Sequence, residues 1–213
     1  MVPTRSAFTG RERRIIDEHR TPARVQRWLR GLDYNWEADG ETCLSFRRVV
    51  TEGHAHCLEA ALAAAVVLEQ HGHPPLLVSI QSEDLLDHVL CAFRNRGRWG
   101  SVARSRDLGL HGRKAAFRNV RDLVWSYHDP YIDHTGRIVG YAVADLRDLG
   151  HYDWRLSERN VWKVARHLQE IDHRRIRGSD VRYRRWHRRF VEFRERYPNR
   201  QLTYFPNRAL WLL

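Results

Sequence analysis

The sequence lacks the features that would tie it to a membrane, a disulfide framework or a common cofactor. Its 213 residues include only 3 Cys, an odd count without a CxxC pair. This cysteine usage argues against a disulfide scaffold and favours a reduced, cytoplasmic protein. No apolar run reaches the roughly 18 residues that cross a bilayer, and the N-terminus lacks a secretory-signal layout, so no membrane partner is expected. Neither a Walker P-loop nor a G-x-G-x-x-G pattern occurs, and we expect no cofactor.

Lysine is almost absent too, being limited to Lys114 and Lys163, so arginine carries nearly all of the positive charge. The formal net charge of +11 and the arginine–aromatic run at 182–189 make nucleic acid a candidate partner. The helical spacing of that run also has a plainer explanation, with aromatic side chains inward and arginines in solvent. No zinc finger or RNP motif supports nucleic-acid binding, which stays an alternative.

What is present is the composition of a folded globular protein, with 42% hydrophobic residues and 8 Trp, 8 Tyr and 7 Phe. We predict one domain, 1–213. Residues 104–117 read as a polar connection and 128–136 as a loop, and the apolar tail at 202–213 is expected to dock on the body. Periodicity and caps predict helices over 11–20, 21–32, 41–52, 56–71, 118–127, 157–171 and 181–197, and strands over 76–81, 87–94, 99–103 and 137–146.

The expected fold class is α+β. An antiparallel sheet of about three or four strands would pack against the helix that begins near Cys57, with further helices at both ends. A helix N-terminus offers unpaired N–H groups and a positive dipole end, and both stabilise a thiolate. Cys57 is therefore a candidate nucleophile, although a small buried apolar cysteine is the alternative interpretation.

A thiol nucleophile needs a base, usually His. His88 follows Cys57 by 31 residues, at the head of a predicted strand. The Cys57 helix, the Asp-His-Val at 87–89 and the Gly-Arg-Trp-Gly hairpin at 97–100 together resemble the transglutaminase-like branch of the papain-like cysteine superfamily. The resemblance covers about 40–107. It implies a Cys at a helix N-terminus facing a His on the antiparallel sheet.

The same resemblance implies an Asp that orients the His, four residues after the hairpin Trp. That position is Ala103. Because alternate strand residues share a face, Ser101 or Ser105 could hold His88 through a hydroxyl, and Asp107 could reach back from the loop. The sequence thus predicts a catalytic pair without its usual carboxylate.

The resemblance also implies an oxyanion hole formed by the Cys57 amide or by an upstream side chain. Trp28, Asn35 and Trp36 are the upstream candidates, and Asn35 is the preferred polar one. Glu59 lies in the first turn of the Cys57 helix, where a carboxylate favours the dipole. It could instead contact substrate or a loop. We therefore count Asn35, Trp36 and Glu59 as candidate substrate-binding residues.

His54, His56, Cys57 and Glu59 form a dense group of metal-ligand types. A structural zinc site usually shows two paired ligand motifs, and this group has no second pair at matching spacing. We therefore predict no metal.

The leading hypothesis is a transglutaminase-like thiol enzyme in which Cys57 attacks an amide or acyl carbonyl and His88 moves the proton. The substrate would be a peptide or protein. Hydrolysis and acyl transfer both stay open. One alternative is a catalytically silent member of the fold that binds a peptide or protein. The other is a basic nucleic-acid-associated protein.

Overall fold

A computed structural model describes residues 2–213 and confirms the α+β class. Within those residues the helices are α1 Gly10–Glu18, α2 Pro22–Arg30, α3 Phe46–Glu52, α4 Cys57–Glu69, α5 Val120–Tyr131, α6 Trp162–Glu170, α7 Asp180–Arg196 and α8 Arg208–Trp211. The strands are β1 Asp33–Tyr34, β2 His54–Ala55, β3 Leu76–Ser82, β4 His88–Asn95, β5 Arg98–Val102, β6 Arg113–Phe117, β7 Ile138–Asp145 and β8 Arg174–Arg175.

Helix α4 is the central helix, and its composition explains why. It is apolar on all sides, and nearly all of its residues are buried. His56 caps its N-terminus, where the imidazole accepts a hydrogen bond from the Leu58 amide. Gly72 adopts a left-handed φ of +84° just after the helix, as a residue that ends a helix commonly does.

The main sheet has the strand order β6-β5-β4-β3-β7-β8, and its neighbouring strands are antiparallel. The predicted hairpin between β4 and β5 is confirmed, with Arg96 and Gly97 both at positive φ in its turn. The described residues place six strands in this sheet, so the prediction of three or four was too low. The stretch 104–117, which was predicted as a polar connection, contains the edge strand β6. Buried and exposed residues alternate along this strand, and its polar residues gave the stretch no apolar strand pattern.

The sheet is covered on both faces. Odd positions of β4, Val89, Cys91 and Phe93, belong to a core with α4. Even positions, Leu90 and Ala92, belong to a second core with α5. This alternation follows the period of a strand. The N-terminus of α4 and the start of β4 lie at the same end of the sheet, because Cys57 and His88 line one cavity.

Several boundaries differ from the predictions, and α3 begins at Phe46, after its Ser45 cap, rather than at Glu41. Helix α6 begins at Trp162 rather than at Ser157, because the Ser157 hydroxyl forms a local turn with the backbone of Arg159. Helix α5 continues to Tyr131 and contains Pro130, so part of the predicted loop at 128–136 is helical.

The predicted docking of the tail is confirmed. Leu202 and Phe205 are buried with Phe190, and Leu212 bridges to Arg113 on β6. Among residues 2–213, no helix combines the length and apolar character that a membrane crossing requires.

Candidate active site

Cys57 is the first residue of α4, and it is partly exposed. It opens into a cavity of about 350 Å³. The cavity brings Cys57 together with residues from the loops after β3, β5 and α5. The lining residues are Tyr34, Glu37, His56, Cys57, Asp84, Leu85, Leu86, Asp87, His88, Ser105, Arg106, Asp107, Leu110, Tyr131 and Asp133.

The imidazoles of His56 and His88 line the same cavity as Cys57, and they are the two side chains that lower the pKa of its thiol. Burial by itself raises the pKa of Cys57, but the hydrogen bonds with both imidazoles and their charges lower it to about 5. A thiol with that pKa is a thiolate at neutral pH, and the thiolate is the nucleophilic form of cysteine. Cys43 and Cys91 are buried, and burial raises the pKa of each to about 12.

His88 begins β4 and is only 3% exposed. Its Nε2 lies 3.0 Å from the carbonyl oxygen of Leu110 and donates to it. This bond fixes the tautomer with the proton on Nε2, which leaves Nδ1 for the thiol. The Tyr127 ring packs beside the imidazole, with 6.0 Å between centroids. A backbone carbonyl thus holds His88 in place of the Asp that the sequence resemblance implied.

The loop that carries Leu110 is held by a buried guanidinium. Arg113 is fully buried, and it donates to the carbonyl oxygens of Gly109 at 2.7 Å and His111 at 2.5 Å. Its guanidinium also lies over the Tyr127 ring, 3.8 Å from the centroid. These contacts fix the backbone on both sides of Leu110, and with it the carbonyl that meets His88.

Gln26, from α2, holds the same loop from its other side. Its amide nitrogen donates to the Ala103 carbonyl, and its amide oxygen accepts from the amides of Ala103 and Gly112. Ala103, where the resemblance implies an Asp, is therefore buried, and its backbone is bound to Gln26 at the point where β5 leads into the loop that carries Leu110.

The three predicted orienting side chains have other partners. The Ser101 hydroxyl lies 2.6 Å from the Tyr127 hydroxyl and accepts from the Arg113 amide. The Ser105 hydroxyl accepts from the Asp107 amide at 3.4 Å. The Asp107 carboxylate lies 3.5 Å from the Arg194 guanidinium. Ser105 and Asp107 line the cavity, whereas Ser101 lies in the layer behind it. The sequence predicted that one of these three side chains holds His88. In the structure, the group that binds the His88 ring is the Leu110 carbonyl.

Glu59 is fully buried beneath the N-terminus of α4. Its carboxylate accepts hydrogen bonds from Asn35 Nδ2 at 3.0 Å and Thr42 Oγ1 at 2.7 Å. It also accepts from the backbone amides of Leu44 and His56, each at 2.9 Å. The open interpretation of Glu59 as a loop contact fits this arrangement. Direct substrate contact by Glu59 does not, because no part of the side chain is exposed.

Asn35 is 8% exposed, and its amide nitrogen is committed to Thr42 and Glu59. This placement does not fit the preferred oxyanion donor, since the amide nitrogen already donates to these two acceptors. Trp28 packs against the core beside Phe46, so it does not reach the cavity either.

Trp36 is 66% exposed and lines a second cavity, of about 550 Å³. The guanidinium of Arg106 lies 5.6 Å from its ring centroid. Tyr34, Arg106, Asp107 and Asp133 line both cavities, so the two adjoin. Trp36 keeps its predicted substrate-binding role as a proposal, at a distance from the thiol.

The cleft around Cys57 is acidic although the protein as a whole is basic. Glu37, Asp84, Asp87, Asp107 and Asp133 all line it. Burial raises the pKa of Asp87 and of Asp107. Within residues 2–213, no group of three or more His, Cys, Asp or Glu side chains has a metal-binding arrangement.

Three parts of the site were not predicted in their observed roles. His56 was considered only as a metal ligand, and its signals were its place directly before Cys57 and the Glu three residues later, as in a capping box. Tyr34 lines the cavity, whereas the sequence reasoning chose its neighbours Asn35 and Trp36. Leu110 acts through its backbone, which has no residue-type signature.

No known family model matches the sequence, and no curated protein matches it either. Two solved structures of Legionella pneumophila LapG, one of EGTA-treated protein, are similar to the chain. Their TM-scores are 0.40 for the EGTA-treated protein and 0.39 for the other, and each has 12% sequence identity. Each similarity covers 70% of this chain and 89% of the LapG chain. The likeness is distant, and no residue role is taken from it.

Proposed function

We propose that this protein is a transglutaminase-like thiol enzyme that acts on amide or other acyl groups of a peptide or protein. One observation carries the proposal. Cys57 lies at a helix N-terminus in an open cavity, which is also lined by two imidazoles that lower the pKa of its thiol to about 5. Structural cysteines are buried and inert, like Cys43 and Cys91, whereas low-pKa accessible thiols are reactive.

In the first half of the reaction, the Cys57 thiolate attacks the carbonyl carbon and forms a tetrahedral intermediate. The new oxyanion would meet the amide N–H of Cys57 and the hydroxyl of Tyr34. Burial and the nearby thiolate charge raise the pKa of Tyr34 to about 12, which keeps it a neutral donor. An imidazolium proton, delivered by His88, then passes to the leaving amine as the C–N bond breaks. A thioester on Cys57 remains.

In the second half, a water molecule or an amine attacks the thioester carbonyl. His88 takes a proton from the attacking group, the C–S bond breaks, and the Cys57 thiolate is regenerated. Water gives hydrolysis and an amine gives acyl transfer. The adjoining cavity extends past Tyr34 to the exposed Trp36, which provides length for a polypeptide segment. Unpaired cysteines support the proposal of a cytoplasmic location.

A second candidate function is peptide binding without turnover. The observation in its favour is the carbonyl of Leu110 behind His88, because a neutral acceptor stabilises an imidazolium less than a carboxylate does.

p-Nitrophenyl acetate distinguishes these functions, since its good leaving group lets a thiolate be acylated without a general acid. The enzyme should release one equivalent of p-nitrophenolate in a burst and then turn over steadily, and Cys57→Ala should remove both phases. A burst without turnover would favour the binding protein. Equal release by the wild type and Cys57→Ala would refute the thiol enzyme. Adding methylamine during turnover shows whether an amine competes with water.

A further inference from the structure

We propose that His56 is a second catalytic imidazole and that the two histidines divide the work. In this arrangement His56 supplies a fixed positive charge beside the Cys57 thiolate, and His88 transfers the proton. The inference rests on the proposed thiol chemistry, and it assigns the ion pair to a different histidine from the one that the sequence suggested.

The surroundings of His56 favour a charged ring. Its Nε2 lies 3.4 Å from Glu59 Oε1, 3.7 Å from Glu37 Oε1 and 3.2 Å from the Thr42 carbonyl oxygen. Two carboxylates and a carbonyl thus surround one ring nitrogen. Burial lowers the pKa of His56, but the hydrogen bond and charge of Cys57 and the charge of Glu59 raise it to about 9.

The Glu59 carboxylate is kept ionised by its own contacts. Burial raises its pKa, yet the charge of His56 and hydrogen bonds from Asn35 and Thr42 lower it overall. A buried carboxylate that accepts several N–H and O–H bonds strongly prefers its charged form. Glu59 therefore acts on the thiol through His56, as a positioning residue.

The group bound by the His88 ring is neutral, whereas the His56 ring lies beside two carboxylates. The His88 Nε2 meets the neutral Leu110 carbonyl, and its other neighbours include the Tyr127 ring and His111. Burial lowers the pKa of His111 to about 4, so that ring is neutral at pH 7 and adds no positive charge beside His88. The hydrogen-bonded nitrogen of His88 therefore faces a neutral carbonyl, whereas that of His56 faces two carboxylates, and we assign proton transfer to His88 on this difference.

Protonation of the His56 ring changes the hydrogen bond at its Nδ1. The neutral ring accepts the Leu58 amide N–H there, at 3.2 Å. In the imidazolium Nδ1 carries a proton and cannot accept, so charging the ring removes this capping bond. Tyr34 and Tyr131 also face the thiol, and burial with the thiolate charge raises the pKa of each, so both stay neutral. The charges of the two imidazoles help to lower the pKa of Cys57, and Arg106 lines the same cavity.

The experiment compares His56→Asn, Glu37→Gln and His88→Asn in the full chain, with two probes. Asn at position 56 keeps an N-cap acceptor and removes the imidazole. Glu37 is partly exposed, so its replacement tests the same charge without disturbing the core. Iodoacetamide alkylation against pH reports the ionisation of Cys57. p-Nitrophenyl acetate reports acylation in its burst and proton transfer in its steady phase.

His56→Asn should reduce alkylation of Cys57 at pH 5 by about fivefold or more, as a rise of one unit from a pKa of about 5 would, and Glu37→Gln should reduce it by less. His88→Asn should slow the steady phase about a hundredfold or more while changing alkylation less than His56→Asn does. If His88→Asn shifts the alkylation profile more than His56→Asn, the division of work is wrong although the thiol enzyme stands. If the wild type shows neither a burst nor a low alkylation midpoint, the proposed function fails first.

Discussion

Cys57 differs from the other two cysteines of the chain through its neighbours alone. Cys43 and Cys91 lie in the core, and Cys43 donates a weak hydrogen bond to the Val161 carbonyl at 3.6 Å. Cys57 has an exposed face, a helix N-terminus and two imidazoles. At this scale, position decides whether a cysteine is a small hydrophobe or a nucleophile.

We expect iodoacetamide near pH 7 to place one adduct on the folded protein, at Cys57. The thiols of Cys43 and Cys91 are protonated and covered, since burial raises the pKa of each to about 12. Peptide mapping by mass spectrometry checks the site, and Cys57→Ser provides the unlabelled control. Rapid modification of Cys91 before unfolding in urea would contradict this placement.

Glu59→Gln should lower the free energy of unfolding at pH 7 by about 1–3 kcal/mol, because buried donors lose a charged acceptor. The folded-state pKa of Glu59 lies below the ordinary value of 4.5. Its contribution is therefore complete above the unfolded-state pKa and is lost as pH falls through the lower folded value. The variant should show a flatter loss of stability in acid.

Urea unfolding at pH 7 and at pH 3 measures both effects, with the exposed Glu41→Gln as the matched control. An unchanged acid limb in Glu59→Gln would show that the carboxylate is not held ionised in the folded state.

At the scale of elements, periodicity predicted most of what surrounds the site. The apolar run of α4, the strand β3 and the β4–β5 hairpin carry strong local signals, and the structure confirms all three. The loop at 108–112 carries no such signal. Its shape depends on the buried guanidinium of Arg113, which binds a carbonyl 4 residues earlier, and on Gln26, which lies 86 residues from Gly112 in the sequence. Neither the burial of an arginine nor so distant a contact is visible in a local pattern.

Gly112→Ala should disturb that loop. A Cβ there would lie 2.2 Å from Gln26 Oε1 and 2.3 Å from the Ser101 carbonyl oxygen, so the backbone must shift. We expect a loss of about 1–3 kcal/mol from overpacking. The shift should also slow deacylation of the p-nitrophenyl acetate intermediate, because the Leu110 carbonyl no longer holds His88.

Gly10→Ala is the matched control, because its Cβ would meet nothing within 4 Å. Equal stability and equal deacylation in the two variants would show that the loop does not depend on close packing at Gly112.

At the scale of the whole molecule, acidic side chains gather at the cleft while the protein as a whole is basic, and composition could not reveal this distribution. The sequence gives a net charge of +11, yet carboxylates line the cleft at Cys57. The arginines of α7 are largely exposed, and Arg189 and Arg194 lie over aromatic rings. The sheet order, with β7 beside β3, was likewise out of reach, since it joins segments more than 50 residues apart in sequence.

One buried ion pair ties α4 to the distant segment before α6. Arg155 donates to both oxygens of Glu69, at 2.7 Å each, and both side chains are nearly covered. Removing one partner leaves an uncompensated buried charge, so Glu69→Ala should cost about 3–5 kcal/mol. Asp17→Asn, in the exposed pair with Arg5, should cost about 0–1 kcal/mol.

Chemical denaturation of both variants makes the comparison. The double variant Glu69→Met with Arg155→Met should recover much of the loss, because neither charge then remains. Equal costs for the buried and the exposed pair would contradict the packing of α4 against that segment.

The most direct test of the central claim is the rate of Cys57 alkylation by iodoacetamide in the wild-type protein as a function of pH. The contacts of Cys57 with His56 and His88 predict a half-maximal rate near pH 5, in line with the lowered pKa of about 5, and a plateau through neutral pH. A half-maximal rate near the pKa of about 8.5 of an ordinary thiol would show that Cys57 has no imidazolium partner.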